Sequence, residues 1–435
     1  MNSNTISAKL ANIAELFIEY VNDKKIDQCH ELIDKYDGRF CDISVSAGKF
    51  NNMTPIIYAC YRRNESLALA LIAKSEMLNA VDNTNSTALI YACYNGLHIV
   101  ANELICRGVD LNIVDVNKYT ALQYAYSSDM MSTLELLLDN KADTSCLYQN
   151  GDNILINACK IHDNNIAMKI LNYNIDLNIQ NILQQTALMF ACKKKTHIDI
   201  VKKLIHKGAK LDLTDWWGDN ALQYAGDSNN IDAMRELINS GISLNQQNTQ
   251  KISVLIHACR DGFESGAELL IDSGANLDLQ DNSGWTALIY ACKDGLTYIV
   301  KKLIHAKCNM NLRGNYGWTA LMHACYNNRS DIAKYLLSNG CDATLQNRNG
   351  YTAMYYAYDL TDVIINMINL GVDFVNFING DTYDNKNVMV RNHIFNIYKK
   401  QITAVIDNDE TNAIQMCFKK IYAIELVDII CEFIL

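Results

Sequence analysis

The heptapeptide TALIYAC fills Thr87–Cys93 and recurs unchanged at Thr286–Cys292. Variants of it fall between and beyond these copies: TPIIYAC from Thr54, TALQYAY from Thr120, NILINAC from Asn153 and TALMFAC from Thr186. The series continues with NALQYAG from Asn220, SVLIHAC from Ser253, TALMHAC from Thr319 and TAMYYAY from Thr352. These ten starts are 33 residues apart, except for one step of 34 between Thr186 and Asn220. A fixed period of this length marks a repeat array. The extra residue falls in Lys193–His197, which reads as the turn between two helices, where an insertion costs least.

Each unit reads alike. A short first helix carries the pattern A-L-x-x-A, and a polar turn such as Lys293–Thr297 follows. A second helix then places Ile299, Val300, Leu303 and Ile304 on one face. Gly, Asn or Lys ends that helix, as Gly274 does. The segment Leu277–Thr286 turns at Asp281-Asn282-Ser283-Gly284 like the tip of a hairpin. One such unit cannot bury its own apolar stripe, so neighbours must stack and share a core.

Residues Asp281–Leu312, DNSGWTALIYACKDGLTYIVKKLIHAKCNMNL, resemble the D-x-x-G-x-T-P-L-H-x-A signature of the ankyrin repeat family. Alanine replaces the signature proline in most units, leaving Pro55, and Ile, Met, Gln or Tyr replaces the signature histidine. The fold expected is all-α with short β-hairpin loops, an ankyrin-repeat solenoid of about ten repeats between helical caps. Residues 1–50 are expected to form an N-terminal helical cap and a degenerate first repeat, 51–380 the array, and 381–435 a C-terminal helical cap. The Asn-, Ile-, Lys- and Tyr-rich, proline-poor composition is similar to that of ankyrin proteins from AT-rich genomes, those of large DNA viruses of amoebae among them. That similarity implies a viral protein acting in a host cell.

Composition narrows the function. The 435 residues are 49% hydrophobic, which suits a folded chain, and carry a net charge of −10. An acidic chain without a basic face is a poor nucleic-acid binder. The first 21 residues read as an amphipathic helix interrupted by Glu15 and Glu19, not as a secretory signal. The longest apolar run, from Leu67, is far too short to span a membrane. A cytoplasmic, unexported protein with reduced thiols is therefore expected.

No cofactor, metal or catalytic motif stands out. Seven of the 15 cysteines, Cys60, Cys93, Cys159, Cys192, Cys259, Cys292 and Cys325, share one phase of the repeat and read as small buried apolar residues. No C-x-x-C occurs. His206 and His305 share a phase, as do His257 and His323, which reads as scaffold. Ser46–Phe50, SAGKF, reads as a hairpin tip rather than a phosphate loop. The chain is read as non-enzymatic.

The resemblance implies protein partners, held on the palm formed by the first helices and on the hairpin tips. By phase the palm carries Tyr61, Tyr94, Lys160, Lys193, Arg260, Lys293 and Tyr326. Tyr and Arg suit a contact surface, while the lysines fit a solvated helix edge equally well. All four tryptophans fall on tips. Trp285 and Trp318 precede the signature Thr, a place that Tyr119 and Tyr351 hold elsewhere. Trp216 and Trp217 follow Asp215 at positions that Ile182 and Leu183 occupy one unit earlier. Two readings stay open for this pair: it covers Ile182 and Leu183, or the group forms an apolar ridge for a partner.

Beyond residue 380 the period fails and apolar helices are expected. Tyr422–Ile434, YAIELVDIICEFI, is similar to the opening of an F-box, with Glu425, Leu426, Ile430 and Phe433 as the matching residues. Poxvirus ankyrin proteins end in such a segment. The similarity implies a ubiquitin-ligase adaptor as a second partner, and a plain cap helix is the alternative.

Overall fold

The computed structural model describes residues 3–45, 52–161 and 164–372, together with Asn396. The expected turn at Ser46–Phe50 and the F-box-like residues Glu425, Leu426, Ile430 and Phe433 lie outside the described residues. Two compact units divide the chain after Trp216.

All ten starts cap a helix. Thr54, Thr87, Thr120, Asn153, Thr186, Asn220, Ser253, Thr286, Thr319 and Thr352 each sit in extended backbone immediately before a first helix. In all but Thr352 the side-chain oxygen accepts the N–H three residues on, as Asn153 does from Ile156 at 2.8 Å and Thr87 from Ile90 at 3.1 Å. Such a cap contributes about 1 kcal/mol. Losing the signature histidine leaves this bond intact, because it needs only the capping side chain and a backbone N–H. Where Gln takes the histidine's place, the box closes in both directions: Gln123 accepts from the Thr120 N–H at 2.9 Å, and Gln223 from that of Asn220 at 2.8 Å.

In the first unit, helices Ser3–Asn22 and Ile26–Lys35 precede five helix pairs. Their apolar faces are buried through Ile13, Phe17, Ile18 and Ile33, with the Phe17 and Phe40 rings 5.5 Å apart. The pairs run from Pro55–Tyr61 with Glu65–Ile72 to Ala187–Cys192 with Ile198–His206. The inserted residue is absorbed in a 3-10 turn, Lys195–His197, that buries His197. The second unit holds five more pairs, from Ala221–Asp227 with Ile231–Asn239 to Ala353–Tyr356 with Thr361–Asn369.

Small side chains let first helices pack closely. All seven phased cysteines are buried. Burial pushes the thiols of Cys60 and Cys259 up to about 12, so they behave as apolar groups. Ile299, Val300, Leu303 and Ile304 are buried on the facing second helix, as their spacing requires.

The tips are hairpin turns without strands. Among the described residues there are only isolated bridges, Val45 with Met53 and Gln247 with Ser253. Each arm is too short for a ladder, and a side chain closes the turn instead. Within each unit, most neighbouring tips are joined by single backbone bonds, such as Val116 N–H to the Thr84 carbonyl at 2.9 Å and Asn282 N–H to that of Gln250 at 3.1 Å.

Candidate protein-binding surfaces

The turn at most tips is set by an Asp or Asn at its first position. One oxygen of Asp82 accepts the N–H groups of Thr84 and Ser86 at 2.8 and 2.9 Å, and the other accepts the Tyr91 hydroxyl at 2.8 Å. Asp115 treats Asn117, Tyr119 and Tyr124 the same way, at 2.8, 2.9 and 2.6 Å. Asp281 does so for Ser283, Trp285 and Tyr290, at 2.8, 2.9 and 2.7 Å. Asn347 accepts from Asn349 and Tyr351 and donates its amide to the Tyr356 hydroxyl at 2.7 Å. An acidic or amide residue thus reaches a phenol nine residues on and ties the tip to the first helix behind it. The bonds to the carboxylates Asp82, Asp115 and Asp281 are stronger than those to the neutral Asn347 amide.

The first-helix row stands on those clamped rings. Tyr61 packs edge-on against Tyr91 of the next repeat at 5.6 Å, and Tyr94 against Tyr124 at 5.4 Å. Lys160 lies 4.7 Å from the ring centre of Phe190 while pairing with the buried Asp152 at 2.5 Å. In the second unit, Tyr326 meets Tyr356 at 6.1 Å. One edge of each Tyr therefore secures the repeat junction, and the rest of the ring is exposed at Tyr61, Tyr94 and Tyr326. Lys193 is exposed as well. Arg260 and Lys293 are half-buried and pair with the acidic residues that follow them, Asp261 at 2.9 Å and Asp294 at 3.4 Å.

The tryptophans occupy two kinds of environment. Trp216 is 66% exposed and neighbours Ile182, 64% exposed, and the exposed Leu183, whose carbonyl accepts the Trp216 N–H at 3.0 Å. Val116 and Leu147, on earlier tips of the same unit, are also exposed. Between those two tips Gln149 makes no bond of the tip-to-tip kind, and a cleft of about 830 Å³ opens beside Val116, Leu147, Tyr148 and Ile182. Tyr148 stands there in place of the turn-closing Asp. Trp217, at 48% exposure, belongs to the second unit, where its carbonyl accepts the Thr249 N–H at 2.8 Å.

Trp285 and Trp318 fold back from their tips onto the first-helix row. Between them lies His323, with ring centres 4.5 Å from Trp285 and 4.9 Å from Trp318. Trp318 also packs on Tyr326 at 5.4 Å and Tyr356 at 4.3 Å. Trp285, Trp318, His323 and Tyr326, together with Lys293, Gly314 and Tyr316, line a cleft of about 370 Å³. His323 is only 8% exposed, its Nε2 has no hydrogen-bond partner, and burial with the nearby Lys293 charge lowers its pKa to about 4. His257, at the same phase, has Nε2 within 3.1 Å of Asp227 and 3.4 Å of Asp261. Phase alone made the two histidines look equivalent, and their neighbours separate them. By phase His323 reads only as scaffold, and Gly314 and Tyr316 carry no signal of their own in the sequence. The available signal was a glycine at the tip-closing phase with histidine, not tyrosine, nine residues on.

Among the described residues no group of His, Cys, Asp and Glu is placed to hold a metal ion, and no helix is long and apolar enough to cross a membrane.

No curated protein matches the chain. Among solved structures, the ankyrin repeat domain of Bcl-3 is similar at 25% identity and a TM-score of 0.46, over 51% of this chain and 100% of that one. The human ASB11 ankyrin repeat domain is similar at 20% identity and a TM-score of 0.44, over 50% and 97%. An ankyrin repeat domain from Acinetobacter baumannii is similar at 28% identity and a TM-score of 0.41, over 43% and 98%. The family model of ankyrin repeats in three copies matches residues 16–115, 122–215, 155–248, 222–313 and 293–376. These matches take in most of the repeat array, and with the capped helix pairs and clamped tips they place the chain in the ankyrin repeat family.

Proposed function

We propose that this protein is a non-enzymatic interaction scaffold that holds a protein partner against its first-helix row and tips. The observation that carries the reading is the exposure of tyrosines at one repeat phase, Tyr61 and Tyr94 in the first unit and Tyr326 in the second, each already fixed along one edge by the next repeat. A rigid ring loses little conformational freedom on binding, which favours aromatic anchors at interfaces. A photo-cross-linking side chain placed at Tyr61, Tyr94 or Arg260 is expected to capture partner in the cell. The same group at Lys202 or Lys301, on second helices, is expected to capture none. Cross-links confined to the second-helix positions would overturn this assignment of the surface.

A second reading rests on the F-box-like match at Glu425, Leu426, Ile430 and Phe433. In it the scaffold is a substrate receptor that recruits a cullin–RING ubiquitin ligase. Cullin components are then expected to co-purify with the full chain and to be absent when the chain ends at Asn408. Equal recovery from both sinks the idea. The composition, similar to that of viral ankyrin proteins, supports a host cytoplasm as the setting.

A further inference from the structure

The tip that begins at Gly314 departs from the chain's own pattern at both ends of the clamp. On its two sides, Asp281 and Asn347 accept the N–H groups two and four residues on and pair with Tyr290 and Tyr356. Gly314 has no side chain to offer, and the residue nine positions on is His323. The turn itself persists, with Gly314 N–H bonded to the Trp318 carbonyl at 2.9 Å and Gly317 N–H to that of Gly314 at 2.8 Å. The N–H groups of Tyr316 and Trp318, equivalent to those that Asp281 satisfies, find no acceptor among the described residues. Nor does the buried Nε2 of His323 have a partner. The two N–H groups that elsewhere meet a carboxylate or amide thus lack that acceptor here, an imidazole stands where the neighbouring tips have a phenol, and Gly314, Tyr316, Trp318 and His323 all line the cleft.

Glycine is needed for this arrangement. A Cβ on residue 314 would lie 3.0 Å from Cδ1 of Trp285 and 3.1 Å from its Nε1, so the indole leans into room that a side chain would fill. The aromatic walls alone would suit a cation. Lys293 decides otherwise. It lines the cleft with its Nζ 5.9 Å from the centre of the Trp285 ring, and its long, half-exposed pair with Asp294 at 3.4 Å leaves it able to repel a cationic guest and attract an anionic one.

We infer that this cleft takes an aspartate or glutamate side chain from an extended acidic segment of a protein partner, the guest carboxylate standing in for the chain's own missing tip residue. Its oxygens accept from the tip N–H groups and the His323 ring, Lys293 balances its charge, and its stem and an adjoining apolar residue lie on Trp318 and Tyr326. The buried Nε2 of His323 is costly to leave unpaired, and a carboxylate is the acceptor that can serve it and the tip N–H groups at once. The inference rests on the scaffold reading above and refines it to one cleft and one chemistry.

The test is selection of short random peptides displayed on phage against the full chain, followed by fluorescence anisotropy with the enriched peptides. Enriched sequences are expected to carry Asp or Glu beside an aromatic or aliphatic residue. The double substitution Gly314→Asp with His323→Tyr rebuilds the clamp of the neighbouring tips. It is expected to fold, by circular dichroism, and to weaken peptide binding at least tenfold, about 1.4 kcal/mol. Lys293→Glu, on a half-exposed side chain, is expected to weaken it as much, and Lys293→Arg to retain it. Failure to enrich acidic peptides, enrichment of basic ones, or binding indifferent to Lys293→Glu would each overturn the inference. If cross-links at Tyr61 and Tyr94 persist in that case, the scaffold reading survives and only the acidic guest is lost.

Discussion

Replacing Gly226 with cysteine, the residue that most repeats carry at its phase, is expected to destabilise the second unit by about 2 kcal/mol, within the range for overpacking a filled core. A Cβ at Gly226 would approach Cγ2 of Val254 to 2.6 Å, closer than real side chains come. Helix propensity works against this cost, since glycine is the poorer helix former by roughly 0.5 kcal/mol or less relative to cysteine. The clash is the larger effect. Val254 is itself unusual at its own phase. Cys60, Cys93, Cys159, Cys259, Cys292 and Cys325 are each followed in the next repeat by alanine, at Ala88, Ala121, Ala187, Ala287, Ala320 and Ala353. Gly226 is followed by valine. At this junction the two positions share one volume, filled by glycine with valine where most junctions have cysteine with alanine; the half-exposed Tyr126, followed by Ile154, is the other departure. Val254→Ala alone is expected to leave a cavity and cost about 1–2 kcal/mol. Gly226→Cys combined with Val254→Ala is expected to recover most of the loss. The measurement is a double-substitution cycle by urea unfolding. Additive losses mean that the two residues are not coupled, and the shared-volume account then fails.

That pairing shows which parts of the structure a repeat sequence makes readable. The ten starts and the inserted turn at Lys193–His197 were legible, because each depends on local chemistry that recurs at fixed phase, whereas the capping bonds that survive loss of the signature histidine were not read from the letters. Thr87 caps a helix for the same reason Thr286 does, whatever surrounds it. The exchange between Gly226 and Val254 was equally present in the letters. It becomes visible only once the packing register is known, since nothing in either repeat alone says that the sixth residue after one start meets the first residue after the next.

The candidate surfaces were less legible for a different reason. Phase gives the address of a side chain but not its torsion angles. Trp216 and Trp285 both read as tip residues, yet Trp216 stands exposed beside Ile182, while Trp285 turns inward against Tyr290 and His323. The direction is set by neighbours. Trp285 precedes its signature Thr, and the glycine at position 314 of the next tip leaves room for its indole. Recurrence also misled on histidine. His257 and His323 share a phase, but Asp227 and Asp261 attend the first and two tryptophans the second. The same address therefore carries a paired imidazole in one repeat and an apolar, unpaired one in another.

The environment of His323 has a consequence for stability as pH falls. Packing between Trp285 and Trp318 strips water from the ring, and Lys293 adds repulsion, so the folded-state pKa drops from 6.5 to about 4. The unfolded chain thus binds a proton at this site that the folded chain refuses between those values. Stability is greatest above pH 6.5 and is lost progressively as pH falls toward 4, below which both states are protonated and the loss stops growing. At pH 5 the loss from this group is expected to be on the order of 2 kcal/mol. His323→Phe keeps an aromatic ring between the two tryptophans and cannot titrate. Urea unfolding of both proteins followed by tryptophan fluorescence, at about pH 7.5 and pH 5, isolates the term, because every other titrating group cancels in the difference. The variant is expected to lose less stability than the parent chain over that interval, by about the amount given. Parallel losses in the two proteins would mean that His323 titrates in the folded state as it does in water, and that the cleft between the tryptophans is wet rather than apolar.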